Sequence, residues 1–181
     1  REREMILEAE SAPANETESS ASTDTESEGQ SGRPTEKRRP EIHLYQCLLK
    51  GKKMDAVIRQ AVEAGVGRII PVESEYAISR YEGAKEEKKR QRWEAIAREA
   101  IQQSGSRVIT EIADPLDMSK LSKLDENEVL GLFFHQEPLE QTSLHGYLSQ
   151  YPERVAVAVG PEGGFSDRDI ELLVASGFSP V

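Results

Sequence analysis

The feature that most narrows the folds open to this chain is a pair of short runs near its end. "EVLGLFFH" (Glu128 to His135) and "VAVAV" (Val155 to Val159) are apolar almost throughout, without a polar residue at every second position. A strand with one wet face alternates, whereas a strand apolar on both faces must be covered on both, the pattern of a parallel sheet between helices. The segments from Glu41 onward supply matching elements. "KMDAVIRQAVEAG" places Met54, Val57, Ile58, Ala61 and Val62 on one helical stripe, with Gly65 set to end it. A long helix from about Lys85 to Gln103 turns Trp93, Ile96, Ala97, Ala100 and Ile101 inward. Strands are expected over Glu41–Leu49, in "GRIIPVES", where Pro71 weakens the ladder, and in "RVITEI". "PLDMSKLSKL", with Pro115 at its start, and "SLHGYLSQY" read as short helices, and "FSPV" as the beginning of another strand. The expected class is therefore α/β with a mostly parallel sheet over residues 41–181. In such sheets ligands sit beyond the carboxyl ends of the strands. His135 to Glu137 and Gly160 to Gly164 both fall there, which predicts one shared pocket.

Residues 1–40 differ in kind. "ESAPANETESSASTDTESEGQSG" (Glu10 to Gly32) has too little apolar surface to offset its ordering entropy, so an acidic, disordered, low-complexity segment is expected. It reads as a solvated linker or insertion, or as a regulatory tail. The net charge of −10 disfavours a nucleic-acid partner only if taken whole. Residues 1–49 sum to −5 and residues 108–181 to −9, but residues 50–107 sum to +4, with 13 Lys and Arg against 9 Asp and Glu. Salt screens exposed charges beyond about 10 Å, so this local basic zone decides contact with phosphates. Cys47 is the only cysteine, which excludes a disulfide framework, and no His, Cys, Asp or Glu cluster has metal-ligand spacing. No apolar run approaches the ~20 residues of a membrane span, and "REREMILEAE" has no signal-peptide core, so a cytoplasmic setting is expected.

The corner after the Val-Ala run carries the chemistry. Gly163 and Gly164 can take positive φ and let a ligand approach the backbone, while Ser166 and Asp169 form a capping-box pattern with Asp in place of Glu. Neither GxGxxG nor GxxxxGK[ST] is present. Glu162 in this turn suits hydroxyls, an amine or a cation better than phosphate. The alternative is a plain Gly-rich corner with an exposed Glu.

"GPEGGFSDRDIELLVASGF" resembles the cofactor loop of the 16S ribosomal RNA (uridine-N3) methyltransferases, in the SPOUT superfamily of knotted S-adenosylmethionine enzymes. "LLKGKKMDAVIRQAVEAGVGRIIPVES" and "KKRQRWEAIAREAIQQSG" match the same family in order and spacing, so the likeness covers roughly Ile42 to Val181. It implies a trefoil-knotted domain acting as a homodimer, with S-adenosylmethionine held by Gly160, Pro161, Glu162, Gly163 and Gly164, and by Phe134 and His135. It implies methyl transfer to uridine N3 of small-subunit ribosomal RNA. Glu162 is the candidate for the base that removes the N3 proton, with a cradle role on the cofactor as its alternative. Arg68, Lys88, Lys89, Arg92, Gln103 and Arg107 are the candidate RNA contacts. The same likeness implies an N-terminal PUA-type barrel that residues 1–41 do not match, and a closing loop and helix after Val181, so a chain truncated at both ends is expected. Ser106 stands where many relatives have Arg, and Arg107 can substitute for it.

Other readings remain beside these. "KEEKKRQR", with Lys85 and Arg90 as well, is either an RNA-facing patch or a solvated helix face with pairs such as Glu86–Arg90. Trp93 reads as a packing anchor. The acceptor can instead be a ribose hydroxyl or a transfer-RNA base, or the domain can be a non-catalytic RNA-binding module.

Overall fold

Strands that are apolar on both faces need their neighbours supplied by crossovers, and the fold consists of such units. The computed structural model describes residues 39–76, 84–136, 143–149 and 152–181, with residues 84–86 by backbone alone. The acidic segment through residue 38 and Glu137 lie outside the described residues. The elements run β1 (Glu41–Cys47), α1 (Lys53–Glu63), β2 (Arg68–Glu73), α2 (Ala84–Ser104), β3 (Glu111–Ile112), β4 (Leu116–Asp117), β5 (Val129–Phe133), α3 (Leu144–Leu148), β6 (Arg154–Val159), α4 (Asp167–Ala175) and β7 (Phe178–Pro180). Every pairing is parallel, in the order β3-β2-β1-β6-β5-β7, with β4 also on β2.

The two faces of the sheet bury separate cores. On one, Met54, Ile58 and Val62 of α1 and Trp93, Ala97 and Ala100 of α2 pack over Leu48, Ile69 and Ile112. On the other, Leu173 of α4 joins Phe165, Phe133, Phe178, Cys47 and Val72. Alternation assigns the residues: Ile42 and Leu44 of β1 serve the first face, Tyr45 and Cys47 the second. β1 and β6 are neighbours, yet α1 leaves β1 over one face and α4 follows β6 over the other. That divergence opens a crevice between their loops, the switch point of a parallel sheet.

Three expectations change. "RVITEI" is a strand only at Glu111–Ile112, because Ser106 closes a turn, its Oγ accepting from Val108 N–H at 3.2 Å. Ile109 is left 84% exposed. "PLDMSKLSKL" is not a helix. Leu116–Asp117 pairs with β2, and the Asp117 carboxylate accepts Ser119 N–H at 2.8 Å to start a single 3-10 turn at Met118–Lys120. Pro71 does not weaken β2, since it is fully buried and in register with Gln46. The carbonyls of Gly67 and Ile69 accept from the β3 side. By alternation the missing N–H of Pro71 faces the same side, at the gap where β3 has ended and β4 has not begun.

Gly131 is fixed by closeness. A Cβ there would lie 2.7 Å from the Gly177 carbonyl oxygen and 2.6 Å from Leu124 Cδ1. The Gly177 oxygen is backbone and cannot yield without moving β7. Gly131→Ala is expected to cost about 2–3 kcal/mol in chemical denaturation, at the upper end of overpacking. Gly163→Ala, with open space for 4 Å around its Cβ, should stay within about 0.5 kcal/mol of wild type.

Candidate functional site

The corner after β6 is built by its own glycines and by the helix it feeds. Gly164 N–H donates to the Pro161 carbonyl at 3.0 Å and closes a turn, and Gly164 itself takes φ +78. Gly163, expected to share positive φ, does not; its bareness shows instead as open space where a side chain would stand. At Gly160 a Cβ would come within 3.3 Å of the Gly164 backbone, so the loop folds tightly on itself. Ser166 Oγ accepts Asp169 N–H at 3.1 Å and Asp169 accepts Ser166 N–H at 3.1 Å, a complete capping box. Asp169 is 2% exposed, and its other oxygen accepts Glu75 N–H at 3.3 Å, which ties the helix start to the end of β2.

The loop after β5 meets this corner. Phe134 N–H donates to the Ala158 carbonyl at 3.3 Å, and Gln136 Cδ lies 4.0 Å from where a Cβ on Gly164 would be. Phe134 is half exposed. His135 Nδ1 is buried with no hydrogen-bond partner among the described residues. An orphaned ring nitrogen is costly unless something else satisfies it. Val181 N–H donates to the Phe133 carbonyl at 3.0 Å, so the end of β7 reaches the same corner. The parallel pairing of β5 with β6 thus puts the segment carrying Phe134 and His135 beside the strand end from which Gly160 to Gly164 leave.

Glu162 turns toward the β1–α1 turn. Its Oε1 accepts from Lys53 Nζ at 2.8 Å and from Lys50 N–H at 3.3 Å. The Lys53 hydrogen bond first, then the backbone N–H of Glu162 and that of Lys50, hold its carboxyl down at about 2. Lys50 and Lys53 were not among the expected site residues. Their signal is the "KGKK" directly after β1, since β1 neighbours β6 and their carboxyl ends meet. Gln46 was missed as well: buried, it donates to the Val159 carbonyl at 3.5 Å, bracing the last residue of β6. Cys47 nearby is an inert thiol, pushed up to about 12 by burial.

The expected RNA contacts fall in two places. Lys88, Lys89 and Arg92 lie toward the start of α2, where Arg92 pairs with Asp55 of α1. Gln103 ends the same helix about 16 Å further along its axis. Arg107 follows it, and Arg68 opens β2, paired with Glu111 at 3.4 Å. Arg90 is neutralised by Glu94 at 2.8 Å and Glu87 at 3.1 Å, the solvated-face arrangement. The Glu86–Arg90 pair lies outside the described side chains. Two clefts stand apart from the corner. One of about 480 Å³ lies at the amino ends of the strands, between Glu128, Tyr147, Glu153 and Val174. One of about 390 Å³ lies beyond β2, between Ser74, Asp117, Arg168 and Asp169. Among the described residues no His, Cys, Asp or Glu group can hold a metal ion, and no helix is long and apolar enough to cross a membrane.

A family model described as an RNA methyltransferase domain matches residues 35–181. Ribosomal RNA small subunit methyltransferase E of Aquifex aeolicus is 34% identical over 143 residues, covering 78% of this chain and 59% of its own length. The protein of the same name in Synechocystis is 32% identical, covering 77% of this chain and 46% of its own. Among solved structures, a methyltransferase of Legionella pneumophila in complex with bound SAM superposes with a TM-score of 0.70 at 33% identity, over 78% of this chain and 57% of its own. Ribosomal RNA small subunit methyltransferase E of Neisseria gonorrhoeae, bound to S-adenosyl methionine, gives 0.69 at 28% identity, again over 78% and 57%. The chain spans about half to three-fifths of the length of these relatives.

The Glu162 contact has a pH signature. Its carboxyl is lowered from an ordinary 4.5 to about 2, so the link is intact above pH 4.5 and is lost as pH falls toward 2. Carboxyl-carbon NMR should titrate Glu162 near 2 in the wild type, and Lys53→Met should bring the midpoint back toward 4.5.

Proposed function

The chain belongs to the RNA methyltransferase domain family, and on that footing we propose that it carries the catalytic core of an S-adenosylmethionine-dependent methyltransferase acting on uridine N3 of small-subunit (16S) ribosomal RNA. The observation that carries this reading is the glycine corner. Gly163 offers bare backbone to open space, and in the segment after the neighbouring strand β5 His135 holds a buried nitrogen with no partner among the described residues. Those features fit a nucleoside-bearing ligand laid against the loop. The two relatives solved with this cofactor, and the ribosomal RNA named for several relatives, support the choice of donor and acceptor class.

S-adenosylmethionine, when bound, supplies an already activated methyl group. What is left to the residues here is positioning. The Gly160–Gly164 backbone fixes the donor's place, Phe134 flanks it, and His135 orients it through Nδ1. Uridine N3 carries a proton that must leave before nitrogen can attack. A carboxylate held at about 2 is a weak acceptor for it, so Glu162 serves the loop's geometry and not the deprotonation. Lys88, Lys89 and Arg92, on the same end of the fold as the corner, are the RNA contacts nearest the chemistry. Arg68, Gln103 and Arg107 then meet a separate stretch of RNA, or none. A trefoil-knotted homodimer in the cytoplasm completes the reading.

Methyl transfer from labelled S-adenosylmethionine into unmodified small subunits tests it, with transfer RNA as competitor and nucleoside mass spectrometry as readout. The expected product is N3-methyluridine in small-subunit RNA. Label in transfer RNA, or on a ribose hydroxyl, replaces the acceptor. Absence of calorimetric cofactor binding by the full-length protein points to a non-catalytic RNA-binding module instead.

A further inference from the structure

α1 begins without a local cap. Lys52 stands at its N-cap with φ −93 and ψ 5, and no side chain of the turn accepts a helix N–H. Orphan donors and the positive end of the helix dipole draw an anion to such a place. Asp55 supplies one charge inside the first turn but is paired to Arg92 of α2. The other anion beside this turn comes from 109 residues away: Glu162 meets Lys53 Nζ at 2.8 Å and, through the same oxygen, the Lys50 N–H at 3.3 Å. The contact spans the crevice between β1 and β6, whose following helices leave over opposite faces. It joins the two lips of that crevice directly.

Glycines with open space around them flank the contact on both sides. Gly51, next to Lys50, takes φ +62 with nothing within 4 Å of its Cβ position, and Gly163, next to Glu162, is equally open. The Gly160–Gly164 turn is closed internally by one backbone hydrogen bond, Gly164 N–H to Pro161. We propose that Lys53 is a positioning residue for the cofactor site: by holding Glu162 across the crevice it fixes the conformation in which the Gly160–Gly164 backbone receives its ligand. Lys53 itself stays off the ligand, on the α1 side of the turn. The proposal rests on the glycine corner being the S-adenosylmethionine site. It explains why a carboxylate stands in a loop that offers its backbone to a ligand: the charge is directed at α1, leaving Gly163 and Gly164 facing the open side.

Two measurements on the full-length protein test it, one with cofactor and one without. Lys53→Met keeps a long stem and removes the charge; Lys53→Arg keeps the charge. Without cofactor, amide exchange at Gly164 should quicken in Lys53→Met by roughly three- to fivefold, the size of an exposed ion pair, and return toward wild type in Lys53→Arg. With S-adenosylmethionine, calorimetry should show the dissociation constant weakened by a similar factor of about three to five, KM for the cofactor rising with it and kcat nearly unchanged. Unchanged exchange together with unchanged affinity overturns the proposal. Affinity lost with exchange unchanged also overturns it, since Lys53 would then touch the ligand itself. If the wild type binds no S-adenosylmethionine while Gly164 exchange still quickens in Lys53→Met, the cofactor assignment fails and, with it, the role proposed for Lys53, although the contact would still order the loop.

Discussion

Everything in this fold hangs on the parallel pairing of β1 with β6, in register from Glu41–Arg154 to Gln46–Val159. These strands are more than a hundred residues apart in sequence, so their pairing is the costly long-range contact that local propensity cannot supply. Once they are adjacent, the right-handed crossovers on each side determine where the helices go. α1 covers one face and α4 the other, and the crevice follows from that divergence alone. Gln46 strengthens the join from within, buried at the last register position and bonded to the end of β6.

The large elements were legible because each satisfies its own local rules. The Met54-to-Val62 stripe, the Trp93 face and the Ser166–Asp169 cap all specify helices before any tertiary contact, and the structure keeps them. The apolar runs likewise announced β5 and β6 as strands covered on both faces. What was not legible is the region between α2 and β5. Segments of two residues are decided by their neighbours: "RVITEI" has strand composition throughout, yet only Glu111 and Ile112 find open partners on β2. "PLDMSKLSKL" has helical spacing, but Asp117 captures Ser119 N–H and stops the turn after three residues.

The site was half legible for a similar reason. Its glycines are adjacent in sequence and could be read together, and the end of β5 joins them by the general rule for parallel sheets. Glu162 could be seen, but its partner could not. Lys53 and Lys50 belong to a different strand–helix unit, and only the placing of β1 beside β6 brings them to 2.8 and 3.3 Å. The basic residues of α2 teach the opposite lesson. They are neighbours in sequence, yet Arg90 faces Glu87 and Glu94 while Arg92 turns to Asp55. Proximity along a helix did not make them one surface.

The divided neighbour of β2 also has a bearing on how the molecule keeps company with other copies. A full-length strand at that margin would present a continuous row of free amide and carbonyl groups, on which a stray β segment can zip up. Two stubs of two residues each, with Pro71 behind the space between them, interrupt that row. The fold thereby blunts its own rim against templated aggregation, and does so with an imino acid hidden in the interior instead of charges on the surface.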